Sequence, residues 1–129
     1  MRTIVINAVL VGVGGFAGVI FRYSLGWIIH RKAPEATFPY GTLVVNLIGC
    51  LFIGVIAGLI ESRNLFSPEL RRFALIGLLG GFTTYSTFAY ETFSMILNAE
   101  YLRAFSNVSI HVVLGIIFVW AGYSISISR

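Results

Sequence analysis

Phe73-Ala74-Leu75-Ile76-Gly77-Leu78-Leu79-Gly80-Gly81-Phe82-Thr83-Thr84-Tyr85-Ser86-Thr87-Phe88-Ala89-Tyr90-Glu91 is an apolar run interrupted at its centre. Paired glycines and a β-branched, hydroxyl-rich segment are poor helix formers. A break or unwound turn is therefore expected near Gly80 to Thr84. Non-helical backbone at membrane depth survives only where protein buries it or where it lines a cavity. If this run spans a membrane, it is the functional candidate.

The rest of the chain says that it does span one. Of 129 residues, 57% are hydrophobic, 15% are aromatic and only 11% are charged, with a mean hydropathy of +0.90. A soluble domain carries roughly 25% charged residues. Disordered chains are poor in aromatic and apolar residues, so disorder is excluded as well. A spanning helix takes about 20 residues, so four would use about 80. What remains suffices for tails and short links, which places any activity inside the bundle. Spans are expected at about 3–29, 40–60, 73–97 and 107–124, forming one four-helix transmembrane domain over residues 1–129. His30-Arg31-Lys32 closes the first span, and Pro34 and Pro39 bracket the link to the second. Glu61-Ser62-Arg63-Asn64 ends the second, and Asn98 to Arg103 link the third to the fourth. Ser67-Pro68-Glu69 reads as an N-cap, a proline at the first helical position and an acid in the first turn. The first apolar run is too long for a signal-peptide core, and no cleavage site follows it.

Charge orients the bundle only weakly. The N-terminus, the second link and the C-terminus share one side, with Arg2, Arg63, Arg71, Arg72 and Arg129. Arg31, Lys32 and Arg103 take the other side, and Arg22 lies inside a span. A five-to-three split leaves room for insertion in both directions. Two opposed copies would then pair about a two-fold axis in the membrane plane. The net charge of +4 reflects residues at span ends, not a basic stripe for nucleic acid. The single cysteine, Cys50, has no intrachain partner and no metal cluster around it, and reads as a small apolar filler.

Gly14/Gly18, Gly54/Gly58 and Gly77/Gly81 are four apart, the spacing that lets helices approach closely. Gly81 also belongs to the expected break. Thr42, Asn46, Gly49 and Cys50 fall on one helical face. Asn46 is costly in hydrocarbon unless bonded, so it faces water or protein, where an interhelical hydrogen bond is the structural reading. Thr84, Thr87 and Glu91 form a second stripe with Ser86 beside it. An intramembrane acid is a functional candidate by default, and pairing with Arg22 is the structural alternative for Glu91. Arg22 either snorkels to the interface or faces a vestibule that draws anions. His111 reads as a hydrogen-bonding residue between helices, since no metal-ligand spacing surrounds it. Tyr85 and Phe88 bracket Ser86 and Thr87. Their ring edges carry positive potential that suits a small hard anion. No phosphate loop, nucleophile–base pair or metal cluster is present, which argues against an enzyme.

With these residues in place, the sequence resembles the Fluc/CrcB family of fluoride channels. Gly14-Gly15-Phe16-Ala17-Gly18-Val19-Ile20-Phe21-Arg22-Tyr23 resembles the family's first-span motif. Gly41-Thr42-Leu43-Val44-Val45-Asn46-Leu47-Ile48-Gly49 resembles its second, and Gly80 to Phe88 followed by Glu91 resembles its third. The resemblance implies an antiparallel, dual-topology homodimer with two pores in the plasma (inner) membrane. It implies that Asn46 contacts the ion and that Tyr85 and Phe88 stand at the pore-lining phenylalanine positions. Ser86, Thr87 and Glu91 would continue a polar track, and a structural Na⁺ would bind backbone carbonyls of Gly80 and Thr83 from both copies. Two positions depart from the family pattern. Tyr85 replaces a phenylalanine, and His111 replaces a small polar residue, which opens the option of pH-dependent conduction. The implied activity is passive export. Fluoride enters as neutral hydrogen fluoride, is trapped as the anion, and is driven out by the membrane potential at about 2.3 kcal/mol per charge per 100 mV.

Two other classes share some of these features. A small proton-coupled multidrug exporter would carry its acid in the first span, where this chain has Arg22. An accessory membrane subunit would not need the concentrated polar signature of the third span.

Overall fold

The computed structural model describes residues 1–63 and 66–128. Asn64, at the expected end of the second span, and Arg129, one of the five orienting charges, lie outside them. Among the described residues every regular element is helical. α1 is Arg2–Lys32 and α2 is Tyr40–Arg63. α3 covers 68–82, α4 is Tyr85–Leu97 and α5 is Tyr101–Ile127. α1, α2 and α5 are each long and apolar enough to cross a membrane. α3 and α4 together make a third rod, bent where they meet.

α3 starts as its sequence directs. Ser67 Oγ accepts from the Leu70 N–H at 3.2 Å, and Pro68 takes the first turn, where its missing N–H costs nothing. A backbone N–H at this helix start, joined by the Ser67 hydroxyl, holds the Glu69 carboxyl below its ordinary value. Residues Arg72–Leu79 then wind as a wider, π-type helix, and Gly80–Phe82 return to the α form.

The break falls at Thr83 and Thr84, both extended, with ψ of 161° and 112°. The paired glycines just before it are helical. At Gly81 the missing side chain serves packing, and the β-branched residues carry the bend. A Cβ on Gly81 would lie 2.6 Å from the Gly15 carbonyl oxygen, and one on Gly77 would lie 2.7 Å from that of Val11. From the other side, a Cβ on Gly14 would lie 2.6 Å from the Phe73 carbonyl, and one on Gly18 would overlap that of Leu78. Two small-residue stripes thus interlock, α1 against α3. The same device joins α2 to α5: Gly54 meets the Val119 backbone, Gly58 meets Ser126, and Gly122 meets the Leu51 carbonyl. Water does not drive association between apolar helices in lipid, so close backbone contact must supply it.

The α4–α5 link is shorter than expected, since α5 begins at Tyr101. It closes as a Schellman turn: the Glu100 N–H donates to the Met95 carbonyl at 2.8 Å, and the Ala99 N–H to that of Ile96 at 3.0 Å. Ala99 holds a left-handed φ of 58°, which glycine adopts at less steric cost.

Two stability measurements follow from this packing. Gly18→Val forces α1 off α3 and should destabilise by about 1–3 kcal/mol in thermal unfolding of the detergent-solubilised protein. Gly12→Ala, with no atom within 4 Å, should raise stability by about 0.5–1 kcal/mol, the helix propensity that alanine adds. At the turn, Ala99→Gly should raise stability by about 0.5–1 kcal/mol, because the strain it relieves exceeds the chain entropy it adds. An unchanged transition for Gly18→Val would show that the glycine seam is not a stability determinant.

Candidate functional site

The break leaves backbone groups to be satisfied. In an uninterrupted helix the Thr84 N–H would bond the Gly80 carbonyl. Here it donates to Asn46 Oδ1 at 2.9 Å, and Asn46 Nδ2 donates back to the Thr84 carbonyl at 3.1 Å. One amide side chain on α2 thus pairs with both polar groups of one broken peptide position. The Thr83 carbonyl accepts from Arg22 Nη1 at 3.1 Å, so α1 also holds the bend. Thr83 Oγ1 turns back to the Leu79 carbonyl at 2.9 Å. A Cβ on Gly49 would overlap the Thr83 methyl group, so only glycine lets α2 come this close.

After the bend, α4 restarts with Thr84 as its N-cap. The Thr84 hydroxyl accepts from the Thr87 N–H at 3.3 Å and donates to Thr87 Oγ1 at 2.9 Å. One turn further, Glu91 Oε1 accepts from Thr42 Oγ1 at 2.7 Å. Its other oxygen is buried with no partner among the described residues. The two stripes read from the sequence therefore face each other: Thr42 meets Glu91, Asn46 meets Thr84, and Gly49 meets Thr83. Arg22 goes to Thr83, so the alternative Arg22–Glu91 ion pair is not formed.

Two clefts flank the break. The larger, about 710 Å³, is lined by Arg22, Thr42, Thr84, Thr87 and Glu91, with His30 and Tyr40 nearer the α1–α2 link. The smaller, about 440 Å³ and mostly apolar, is lined by Asn46, Cys50, Tyr85, Phe88 and His111. Thr84 borders both. Tyr85 and Phe88 lie with ring centroids 5.8 Å apart, and Phe88 meets the His111 ring at 4.4 Å. The Tyr85 side of this cleft is open, with Tyr85 80% exposed. Ser86 is exposed as well. Among the described residues, no group of three or more His, Cys, Asp or Glu is placed to hold a metal ion. Gly80 could offer a cation its carbonyl oxygen, and Thr83 its carbonyl and hydroxyl oxygens.

Two polar residues behind Phe88 escaped the sequence reading. Asn107 is fully buried, and its Nδ2 donates to Thr92 Oγ1 at 2.9 Å. Thr92 Oγ1 in turn donates to the Phe88 carbonyl at 2.8 Å. The 107–111 spacing, four residues on one helix face, was the available signal: His111 Nδ1 sits 2.9 Å from the Asn107 carbonyl.

Comparison with known proteins agrees across the chain. Residues 9–123 match the family described as CrcB-like protein, Camphor Resistance (CrcB). A protein of Methanosarcina acetivorans named fluoride-specific ion channel FluC 1 is 43% identical over 114 residues, 88% of this chain and 85% of that one. One from Geobacter sulfurreducens, named fluoride-specific ion channel FluC, is 44% identical over 112 residues, 87% of this chain and 90% of its own length. A third of that name, from Flavobacterium psychrophilum, is 39% identical over 116 residues, 90% and 93% of the two chains.

The Asn46 clamp makes a direct prediction. Asn46→Leu leaves the half-buried Thr84 N–H without its partner and takes one of two bonds from the Thr84 carbonyl, which as N-cap still accepts within α4. It should cost about 1–3 kcal/mol of stability. Hydrogen exchange at the Thr84 amide should rise at least about fivefold relative to the wild type, the rate equivalent of the low end of that range. Unchanged protection at Thr84 would mean that Asn46 does not hold the break.

Proposed function

The chain belongs to the CrcB family, and from that membership we propose that it is a fluoride-specific ion channel of the cell membrane, passing fluoride passively along the two clefts that share Thr84. It is a multi-pass membrane protein and not an enzyme. The observation that carries the proposal is a bend in the third rod with hydrogen-bond donors in the cleft on one side and aromatic rings in the cleft on the other. Fluoride holds its water tightly, so a path must replace that water with strong donors. Asn46 has two N–H donors and commits one to Thr84. The second is available to an ion, together with the hydroxyls of Ser86 and Thr87. Tyr85 and Phe88 offer ring edges beside them. A narrow path of this kind discriminates by size and by the number of donors, as other selectivity filters do.

Charge along the path is managed locally. Arg22 brings a positive group to the larger cleft and draws anions toward it. Glu91 would repel them if its carboxylate were free. Thr42 holds one of its oxygens, which keeps the acid turned into a hydrogen bond rather than toward the ion.

Assembly completes the reading. One copy leaves the Tyr85 side of the smaller cleft open, and a second copy in the opposite orientation would close it. The weak five-to-three charge bias permits that pairing. Lipid covers the remaining apolar faces. For the structural Na⁺, the Gly80 carbonyl fits, because its usual helical donor is diverted to Asn46. The Thr83 carbonyl fits with one lone pair, the other being taken by Arg22. The ion would supply positive charge at the junction of the two copies and take no part in conduction.

Liposomes holding the purified protein, loaded with fluoride or chloride and opened with valinomycin under a K⁺ gradient, give the test. Fluoride should leave and chloride should not. Asn46→Asp and Phe88→Ile should each slow fluoride efflux at least about tenfold, the equivalent of one lost interaction of about 1.4 kcal/mol. Well-folded protein that passes no fluoride would overturn the reading and turn attention to proton-coupled transport through Glu91.

A further inference from the structure

We propose that Asn107 and Thr92 form a positioning bracket that fixes Phe88 beside the smaller cleft and thereby sets selectivity for fluoride over chloride; this rests on the channel reading above. Phe88 lies in the first turn of α4, next to the break, where helical hydrogen bonding has only begun. Such a turn frays unless something outside the helix holds it. Here the hold runs in one direction: Asn107 Nδ2 donates to Thr92 Oγ1, and Thr92 Oγ1 donates to the Phe88 carbonyl. The ring is held from the same place. The His111 ring centroid sits 4.4 Å from that of Phe88, and His111 Nδ1 donates to the Asn107 carbonyl at 2.9 Å, which fixes the plane of the ring. Backbone and ring of Phe88 are therefore both referred to one residue of α5.

The choice of asparagine at this position argues for its donor. Asn107 is 0% exposed, and its Oδ1 has no partner among the described residues. A leucine would fill the same space without burying an unpaired oxygen. What leucine lacks is the N–H that fixes the Thr92 hydroxyl and, through it, Phe88. A ring edge contacting an ion works only if its distance is held to tenths of an ångström, and a loose ring admits a larger anion.

The test is paired fluoride and chloride efflux from liposomes for the wild type, Thr92→Val, Thr92→Ser, Asn107→Leu and the double variant Thr92→Val/Asn107→Leu. Thr92→Val keeps the shape and removes the hydroxyl, while Thr92→Ser keeps the hydroxyl. Thr92→Val and Asn107→Leu should each lower the fluoride-to-chloride rate ratio at least about tenfold, as small misplacements of a positioned group do. The double variant should be no worse than the worse single variant, because both remove one chain of bonds. Thr92→Ser should stay within about twofold of the wild type. Ratios unchanged in monodisperse Thr92→Val or Asn107→Leu protein would overturn the bracket and leave these residues as helix-packing contacts. Either variant alone, read against Thr92→Ser, decides the matter if the other fails to fold. A wild type that passes no fluoride would remove the channel reading and this inference together, whereas a conducting wild type with unchanged variants removes the inference alone.

Discussion

A broken helix at membrane depth must find hydrogen-bond partners for its backbone within the protein, because lipid offers none. Here that requirement falls on Thr83 and Thr84, and the surrounding helices are arranged to meet it. Asn46 on α2 satisfies both polar groups of Thr84, and Arg22 on α1 satisfies the carbonyl of Thr83. Both helices must come close for this to happen. Glycine at 49 admits the Thr83 methyl group, and the interlocked glycines of α1 and α3 bring Arg22 within reach. The close packing and the polar site are therefore one design, since loosening the first removes the partners from the second.

Much of this was legible in the residues. The break follows from a run of poor helix formers, the small-residue stripes from their four-residue spacing, and the cap from Ser67-Pro68-Glu69. The facing stripes of α2 and α4 were also visible as periodicities, though which residue would meet which was not. That depends on the relative height of two helices that are distant in sequence. Register of this kind is fixed by the glycine contacts and by Asn46 itself. The exact site of the bend was less legible. Gly80 and Gly81 have low helix propensity, yet the helix runs through them, with α1 packed against Gly81, and tertiary contact overrides a weak local preference.

Asn107 and Thr92 were hidden for a related reason. Read along the chain, Asn107 looks like the polar start of an apolar span, and Thr92 is one hydroxyl among several. Only the structure extends α5 back to Tyr101, which places Asn107 well inside a helix and against α4. A hydroxyl that bonds the carbonyl four residues back is silent in sequence, because almost any helical Thr can do the same. Its meaning comes from the second bond it accepts.

Asn46 and Asn107 divide the work of holding the bend between them. Asn46 approaches from α2 and uses its amide on the backbone at the break, keeping one N–H in reserve. Asn107 approaches from α5 and donates its one side-chain bond to Thr92, whose hydroxyl donates in turn to the carbonyl of Phe88. The two amides thus grip α4 from different helices, at Thr84 and, through Thr92, at Phe88. Between those points lie Tyr85, Ser86 and Thr87, which the proposed path assigns to the anion. A turn fixed at both ends can present donors and ring edges at set distances without a bound ion to order them. Preorganisation of that kind is what a selective path for a strongly hydrated ion requires, because an ion that first had to order its own site would lose to its water.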